Sequence, residues 1–312
     1  MKPRYRGRFA PTPSGPLHFG SLVTAFGSYL EARAQGGEWW LRIDDVDAPR
    51  VQPGAIDLIL RALEIHGLTW DGPVICQSSR RPAYHAALHA LRQQGHVYPC
   101  ACGRTEITRH ARYGPEGAIY PDICREGMPL GARARSWRLR CPDATLYLHD
   151  AVQGSQMVDL HKQYGDFPLY RADRVFSFHL TSALDDLQLG MTDIVRGSDL
   201  LPSSLRQVYW RSLLAQDMLT FAHLPVVLDD HGEKLSKQTL AHPLDTSHAG
   251  DNLVRALAFL GHRPPPGLAR APLSEVHSWA CAHWRLDQVP RLLQRPESDA
   301  SPANASRSEG SL

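Results

Sequence analysis

Strand-like and helix-like patterns alternate along the first third of the chain. Residues 7–10 (GRFA) predict the end of a first strand and residues 39–43 (WWLRI) a second strand, and each is followed by a segment with apolar residues at helical spacing, 22–33 and 55–66. Ser21 stands where it can cap the first helix. Because strands that alternate with helices form parallel sheets with crossover helices, the pattern predicts an α/β fold.

The pattern continues around an irregular insertion, residues 98–137, which is rich in Arg, Gly and Pro. The other elements predicted are a helix at 82–94, strands or strand-to-helix transitions at 146–159 and 169–180, strands at 193–197 and 224–228, and helices at 203–215 and beyond 244. Ser, Ala, Pro and Glu dominate from residue 296 onward, which predicts disorder. We therefore predict five segments: two halves of one α/β domain at 1–97 and 138–244, the insertion at 98–137, a short helical C-terminal region at 245–295 and a disordered tail at 296–312.

Composition and charge place few limits on function. The chain has 34 Lys and Arg against 32 Asp and Glu, so its net charge of +2 neither requires nor excludes a nucleic-acid partner. No apolar run is long enough to span a bilayer, so we expect no membrane segment. Residues 1–8 are basic, but Pro, Gly and Ser follow where a signal peptide would be apolar. We therefore expect a cytoplasmic protein.

Three of the six cysteines lie close together in the insertion: Cys100, Cys102 and Cys124. In a reducing compartment such a cluster predicts a metal site rather than disulfides. Structural zinc takes four ligands, so one more is needed, and the residues alone leave it open, with His110 as a candidate. The other three cysteines are interpreted as core thiols: Cys76, Cys141 and Cys281.

Residues 8–21 join the first predicted strand to the first helix and form a candidate phosphate-binding loop. Gly15 and Gly20 permit close approach of the backbone, and the unpaired N–H groups of a helix start attract anions. His18 stands where an imidazole could donate to a polyphosphate. The loop lacks the lysine and the glycine spacing of a Walker A motif. On the residues alone, a Pro-rich connector is an equally good interpretation.

A second candidate element follows the strand predicted at 224–228. Residues 230–232 predict a turn, after which Lys234 and Lys237 flank Ser236. Two lysines on a mobile loop can neutralise the charge that builds up on a transferring phosphate and then release it. For an isolated pair of lysines, a solvated basic loop would be the better interpretation.

Together the two elements resemble the signatures of the class I aminoacyl-tRNA synthetases. Residues 18–21 (HFGS) resemble the HIGH motif of that family, and residues 234–238 (KLSKQ) resemble its KMSKS motif. Three further segments resemble the glutamyl branch in order and spacing: 8–15 (RFAPTPSG), 41–47 (LRIDDVD) and 194–201 (IVRGSDLL). The resemblance covers about residues 4–244. It implies a Rossmann-like, parallel-sheet catalytic domain.

Length separates the members of this branch. Only about fifty residues lie between Leu244 and the predicted tail, too few for an anticodon-binding domain. The chain therefore resembles the truncated glutamyl-Q tRNA(Asp) synthetases, which implies ATP, L-glutamate and queuosine-bearing tRNA(Asp) as partners and glutamate activation without tRNA. Two alternatives stay open: a minimal glutamyl-tRNA synthetase that charges tRNA(Glu), and a catalytically silent RNA-binding paralogue. We expect a monomer.

The resemblance also implies roles for individual residues. ATP, accompanied by Mg²⁺, would be bound by His18, Gly20, Ser21 and Lys237, and Lys234 would assist His18 and Lys237 in catalysis. Glutamate would be bound by eight residues: Arg8, Phe9, Ala10, Pro11, Thr12, Asp44, Phe178 and Arg196. The two arginines suit carboxylates because a guanidinium binds them bidentately.

Two positions depart from the family pattern. Asp44 stands where the family usually has Glu, so the ammonium contact expected there must be remade by backbone movement or a bridging water. Phe178 stands where it usually has Tyr, and the lost hydrogen bond predicts weaker affinity by ~0.5–1.5 kcal/mol.

The resemblance extends to the cysteine cluster. The family's zinc pattern is matched by Cys100, Cys102, Tyr120 and Cys124, which implies one structural zinc ion per chain with the tyrosine as fourth ligand. Four protein ligands would leave no position for a substrate, so the role of the metal would be structural.

Overall fold

The computed structural model describes residues 4–213, 219–235 and 242–300. Its strands are β1 Arg6–Phe9, β2 Glu38–Ile43, β3 Ile75–Cys76, β4 Val97–Cys100, β5 Arg112–Gly114, β6 Gly117–Ile119, β7 Ser136–Leu139, β8 Thr145–Asp150, β9 Gly154–Asp159, β10 Phe167–Tyr170, β11 Asp193–Gly197, β12 Thr220–Leu224, β13 Val226–Leu228 and β14 Gln294–Pro296. Its α-helices are α1 Phe19–Ala34, α2 Ala55–Ile65, α3 Arg81–Gln93, α4 Arg104–His110, α5 Leu160–Tyr164, α6 Phe178–Gln188, α7 Leu201–Ser212, α8 Ala249–Phe259 and α9 Leu273–His283.

Parallel strands from both halves of the chain lie side by side. β1, β2 and β3 pair in parallel, as do β11, β12 and β8, while β9 is added antiparallel to β8. The Thr192 N–H donates to the Arg6 carbonyl over 2.9 Å, which joins the start of β11 to β1. The carboxyl ends of β1, β2 and β11 therefore meet at one edge, where open α/β sheets bind ligands.

Helix α1 runs through the middle of the core. Phe26 and Leu30 are fully buried, and they belong to the same cluster as Leu257 of α8 and Trp284 after α9. Polar anchors reinforce this packing, because the Trp284 indole N–H donates to Glu31 of α1 over 2.7 Å. The C-terminal helices thus pack on the helix that begins at the candidate phosphate loop.

The insertion is tied to the α/β domain by a small antiparallel sheet. β7 pairs with β4 on one side and with β10 on the other. The predicted boundaries after residues 97 and 137 therefore fall inside β4 and β7. The composition of the chain changes at these two points, but the strands continue across them, and composition alone gives no signal of this pairing.

Two elements near the end of the chain differ from expectation. The strand predicted at 224–228 is divided at Pro225, which has no N–H for a ladder hydrogen bond, into β12 and β13. It is also not the last strand, because β14 pairs in parallel with β13. The disorder predicted from residue 296 is wrong for the first residues of that segment: a 3₁₀ turn at Glu297–Ala300 buries Ala300. Residues 301–312 lie outside the described part of the chain.

Candidate active site

One cavity of about 600 Å³ lies at the edge where the parallel strands end. Its walls include twelve of the residues predicted for catalysis or for binding ATP and glutamate: Arg8, Phe9, Ala10, Pro11, Thr12, His18, Gly20, Ser21, Asp44, Phe178, Arg196 and Lys234. Lys237 lies outside the described residues. Segments separated by more than 200 positions in the sequence therefore line one cavity.

The loop between β1 and α1 forms one wall of the cavity. Its backbone is fixed to β2, because the Asp44 N–H donates to the Pro11 carbonyl over 3.0 Å. His18 is the N-cap residue of α1, and its Nδ1 accepts from the Ser21 N–H over 3.3 Å. In the neutral ring, Nε2 then carries the proton and can donate to an anion. Gly20 leaves room for this ring: an added Cβ would lie 3.3 Å from it.

Beneath the loop lies a buried group of four charged residues. Arg8 of β1 forms a bidentate pair with Asp186 of α6, at 3.0 and 3.2 Å. Arg42 of β2 donates to the same Asp186 over 2.7 Å and forms a second bidentate pair with Asp44, at 2.6 and 3.2 Å. Two guanidinium groups are thus balanced by two carboxylates.

The ionisation of these carboxylates follows from their partners. Burial alone would raise the pKa of Asp186, but the charges of Arg8 and Arg42 outweigh it and lower the pKa to about 2. Burial raises the pKa of Asp44 in spite of the opposing charge of Arg42. Both oxygens of Asp44 already accept from Arg42, so any contact with an ammonium must use their remaining lone pairs.

Arg196, near the end of β11, is held differently. It is 3% exposed, and its described hydrogen-bond partners are the neutral groups of Ser204, Gln207 and His223. Its Nη1 is buried without a hydrogen-bond partner. Burial, and after it the charge of Arg8, lower the pKa of Arg196 to about 9. The guanidinium is therefore still charged at pH 7, and no neighbouring carboxylate neutralises it by direct contact in the described part of the chain.

Lys234 occupies the opposite wall. It follows β13, and an antiparallel bridge between Leu228 and Lys234 closes the turn that precedes it. Its Nζ donates to Asp199 Oδ2 over 2.6 Å, and the side chain is 48% exposed. An exposed pair of this kind contributes little to stability, so the lysine can exchange Asp199 for a phosphate at low cost.

Arg42 and Asp186 belong to the site although sequence analysis gave them no role. Arg42 lies inside the segment 41–47 that carries the resemblance, so its position was available as a signal. No sequence signal indicated Asp186, which follows Asp185 near the end of an amphipathic helix, α6. A charge is expected on the exposed side of such a helix, yet Asp186 is 1% exposed.

The cysteine cluster forms a second candidate site, in the insertion. The sulfurs of three buried cysteines lie within 4.8 Å of one another: Cys100, Cys102 and Cys124. The sulfurs of Cys102 and Cys124 are 3.6 Å apart. The Tyr120 hydroxyl oxygen lies 3.4 Å from the Cys100 sulfur and 3.7 Å from that of Cys102. His110 is exposed at the end of α4.

With this geometry in place, the chain can be compared with known proteins. Residues 4–261 match the family of class I tRNA synthetases (E and Q), catalytic domain. The chain is 50% identical over 293 residues to the glutamyl-Q tRNA(Asp) synthetase of Dechloromonas aromatica. The aligned residues make up 93% of this chain and 97% of the relative. The chain belongs to the glutamyl-Q tRNA(Asp) synthetase family. A further member, from Aromatoleum aromaticum, is 48% identical over 99% of this chain and 98% of its own.

Family membership confirms the resemblance seen in the motifs and the predicted enzyme class, a ligase of the aminoacyl-tRNA synthetase type. The fold agrees as well: a glutamate tRNA ligase from Elizabethkingia meningosepticum superposes with a TM-score of 0.77 at 24% identity, over 97% of this chain and 68% of that one. The predicted α/β fold with a parallel sheet is thus confirmed. Within the described residues, no helix has the length and apolar character needed to cross a membrane.

Proposed function

We propose that this protein activates L-glutamate with MgATP in the absence of tRNA and transfers the glutamyl group to the queuosine base in the anticodon loop of tRNA(Asp). The observation that carries the first step is Arg196, a buried cation without a direct anionic partner among the described residues, in the same cavity as His18 and Lys234. An acidic amino acid beside ATP would supply the missing anion.

In the proposed complex, the glutamate side chain meets Arg196. A carboxylate there pairs with Nη1 and removes the cost of a buried, unneutralised charge. Glutamine, which is neutral, leaves that charge uncompensated and is rejected. Arg8 also borders the cavity, but two of its nitrogens already hold Asp186, so it is the weaker candidate for the same task. Phe9, Ala10, Pro11, Thr12, Asp44 and Phe178 complete the proposed pocket.

Activation needs little covalent help from the protein. A glutamate α-carboxylate oxygen attacks the α-phosphorus of ATP, the bond to the pyrophosphate oxygen breaks, and pyrophosphate leaves with its electron pair. His18 donates to the phosphates from Nε2, Lys234 leaves Asp199 for them, and we assign Lys237 the same task. Gly20, at the start of α1, is assigned to the phosphates through its backbone N–H, and Ser21, whose N–H is held by His18, through its hydroxyl. These groups act by positioning and by neutralising charge.

In the second step, a hydroxyl of the acceptor attacks the carbonyl of the glutamyl-adenylate, and AMP leaves. The choice of queuosine on tRNA(Asp) rests on the relatives, which are glutamyl-Q tRNA(Asp) synthetases and which the chain matches over nearly their whole length. The cytoplasmic location and the monomeric state stay predictions.

We further propose that the cysteine cluster holds one structural zinc ion. Tetrahedral zinc with bonds of ~2.3 Å to sulfur and ~2.1 Å to oxygen places its ligands about 3.6–3.8 Å apart. The two distances from the Tyr120 hydroxyl to the sulfurs of Cys100 and Cys102 and the distance between the sulfurs of Cys102 and Cys124, 3.4, 3.7 and 3.6 Å, fit that geometry with Tyr120 as the fourth ligand. When bound, the ion would cross-link β4 to the loop after β6.

The function is tested by two assays on the purified protein. We expect glutamate-dependent pyrophosphate exchange without tRNA, none with glutamine, and glutamylation of tRNA(Asp) that carries queuosine but not of the same tRNA without it. Equal charging of tRNA(Glu) would instead identify a minimal glutamyl-tRNA synthetase. Absence of glutamate-dependent exchange would identify a catalytically silent RNA-binding paralogue.

Metal analysis tests the zinc proposal. Purified protein should contain one zinc ion per chain, and Cys124→Ser should lose it together with several degrees of Tm, because the metal contributes to folding. The matched control is Cys281→Ser, a half-buried cysteine of α9 outside the cluster, which should keep the metal. Wild-type protein that is zinc-free and equally stable would contradict the proposal.

A further inference from the structure

A buried chain of hydrogen bonds runs from β8 through β12 to Arg196. Asp150, at the end of β8, lies 2.5 Å from Nδ1 of His223, in β12. On the other side of the ring, His223 Nε2 lies 3.3 Å from Nε of Arg196. Asp150 is 1% exposed and His223 is fully buried. Neither residue lines the described wall of the cavity, which Arg196 does.

The donors around Asp150 define the tautomer of His223. Oδ1 of Asp150 accepts from the backbone N–H groups of Val152, Gln153 and His223, at 2.8–3.1 Å. The carboxylate is therefore an acceptor toward the ring, and His223 Nδ1 carries the proton. Burial outweighs the pull of Asp150 and lowers the pKa of His223, so the ring is neutral. Its Nε2 is then a lone-pair acceptor aimed at the Arg196 N–H.

The same group could be mistaken for a nucleophilic triad. Ser204 Oγ lies 2.8 Å from His223 Nε2, so the order Asp, His, Ser is that of a serine hydrolase. However, Ser204 is fully buried in α7, and its Oγ also accepts from Arg196 Nη2 over 2.6 Å. A hydroxyl oxygen that accepts from a cation is a poor nucleophile. The geometry fits a cradle for the guanidinium.

Each nitrogen of Arg196 therefore has a distinct environment. Nε is directed to His223, and Nη2 is shared by Ser204 and Gln207 at 2.6 and 2.8 Å. Nη1 is the remaining nitrogen, and it is buried without a hydrogen-bond partner. All three partners are neutral, so they fix the plane of the guanidinium without cancelling its charge. A carboxylate in place of His223 would hold the arginine as firmly and remove its preference for an acidic substrate.

We propose that Asp150 and His223 are positioning residues that determine specificity for glutamate: Asp150 imposes the tautomer of His223, and His223 orients Arg196 so that Nη1 meets the substrate carboxylate. This inference rests on the proposed role of Arg196. It assigns a task to two residues that lie behind the cavity wall, and it explains why a neutral histidine, rather than an acid, supports the arginine.

Asp150→Asn is the most direct test, because the two side chains have nearly the same shape. The Asn oxygen keeps the three backbone N–H groups, so its NH₂ faces His223 and moves the ring proton to Nε2, against Arg196. We expect the KM for glutamate to rise roughly ten- to a hundredfold in pyrophosphate exchange. The kcat and the KM for ATP should stay within about twofold, and discrimination against glutamine should fall as the KM for glutamate rises.

His223→Gln provides the conservative rescue. The Gln carbonyl can replace Nε2 as acceptor, so the KM for glutamate should rise less than in Asp150→Asn. This variant also keeps the inference testable if Asp150→Asn folds poorly. The control is His262→Gln, which removes another buried histidine, stacked on Trp284 at 4.7 Å. It should lower Tm and leave the KM for glutamate unchanged.

Three results would overturn the inference. The KM for glutamate could stay within twofold of wild type in both Asp150→Asn and His223→Gln. Alternatively, kcat could fall at constant KM, which would indicate a chemical role for the triad-like group. Finally, wild-type protein without glutamate-dependent exchange would overturn the inference together with the proposed function, whereas the first two results leave that function intact.

Discussion

Arg196→Met should reduce kcat/KM for glutamate activation by roughly 10²–10³-fold, the effect expected when one partner of a buried ion pair is removed. The variant replaces a buried cation with an apolar side chain of similar length, so the substrate carboxylate would enter a pocket without a positive partner at Nη1. Pyrophosphate exchange measures the loss. Thermal denaturation measures the fold, which should survive, because the charge that is removed had no direct anionic partner among the residues described.

The same variant separates binding from folding. Glutamate should raise the Tm of the wild-type protein, because a ligand that binds only the native state stabilises it, and should have no effect on Arg196→Met. Arg206→Met is the matched control: Arg206 is also buried, but it pairs with Glu116 and does not line the cavity as described. Its KM for glutamate should be normal. Exchange within tenfold of wild type in Arg196→Met would contradict the assignment.

Asp186→Asn should lower the free energy of unfolding by about 3–5 kcal/mol, because it leaves Arg8 and Arg42 buried without their shared anion. Denaturant unfolding at pH 7 measures the loss. The control is Asp57→Asn, an exposed aspartate in the first turn of α2, which should cost less than about 1 kcal/mol. Equal stability of the two variants would show that the buried charges are compensated in another way.

The contribution of Asp186 also depends on pH. Its pKa of about 2 in the native state is below the value near 3.9 of an unfolded chain. The carboxylate therefore contributes stability that is fully present above about pH 4 and is lost as the pH falls through about 2. The stability difference between wild type and Asp186→Asn should accordingly narrow over that interval.

The sequence predicted the elements whose signals are local. Hydrophobic periodicity located the strands and helices around the cavity, and two short motifs placed His18 and Lys234 in one site. It did not predict the partners of the site's arginines. Asp186 is buried because two guanidinium groups from other strands reach it, and a pattern of polar and apolar positions assigns such a residue to the surface. His223 and Asp150 were overlooked for the same reason.

The last strand was missed for a different reason. β14 has three residues, two of them polar, and pairs with a strand almost seventy positions earlier. Nothing in the sequence of such a segment indicates a strand, because its extended conformation depends on hydrogen bonds to β13. For Lys237 the sequence is the only source: its role was proposed from the motif alone, because the described segment 219–235 ends two positions before it.

The pairing of β13 with β14 has a consequence for how the catalytic unit is delimited. The family match ends at residue 261, yet β14 lies more than thirty residues beyond it and covers the edge of the strand that leads to the lysine loop. The Leu293 carbonyl also accepts from the Val226 N–H over 3.0 Å. A fragment cut at residue 261 would expose that edge to other chains. The catalytic-domain match and the folded unit therefore end at different residues in this protein.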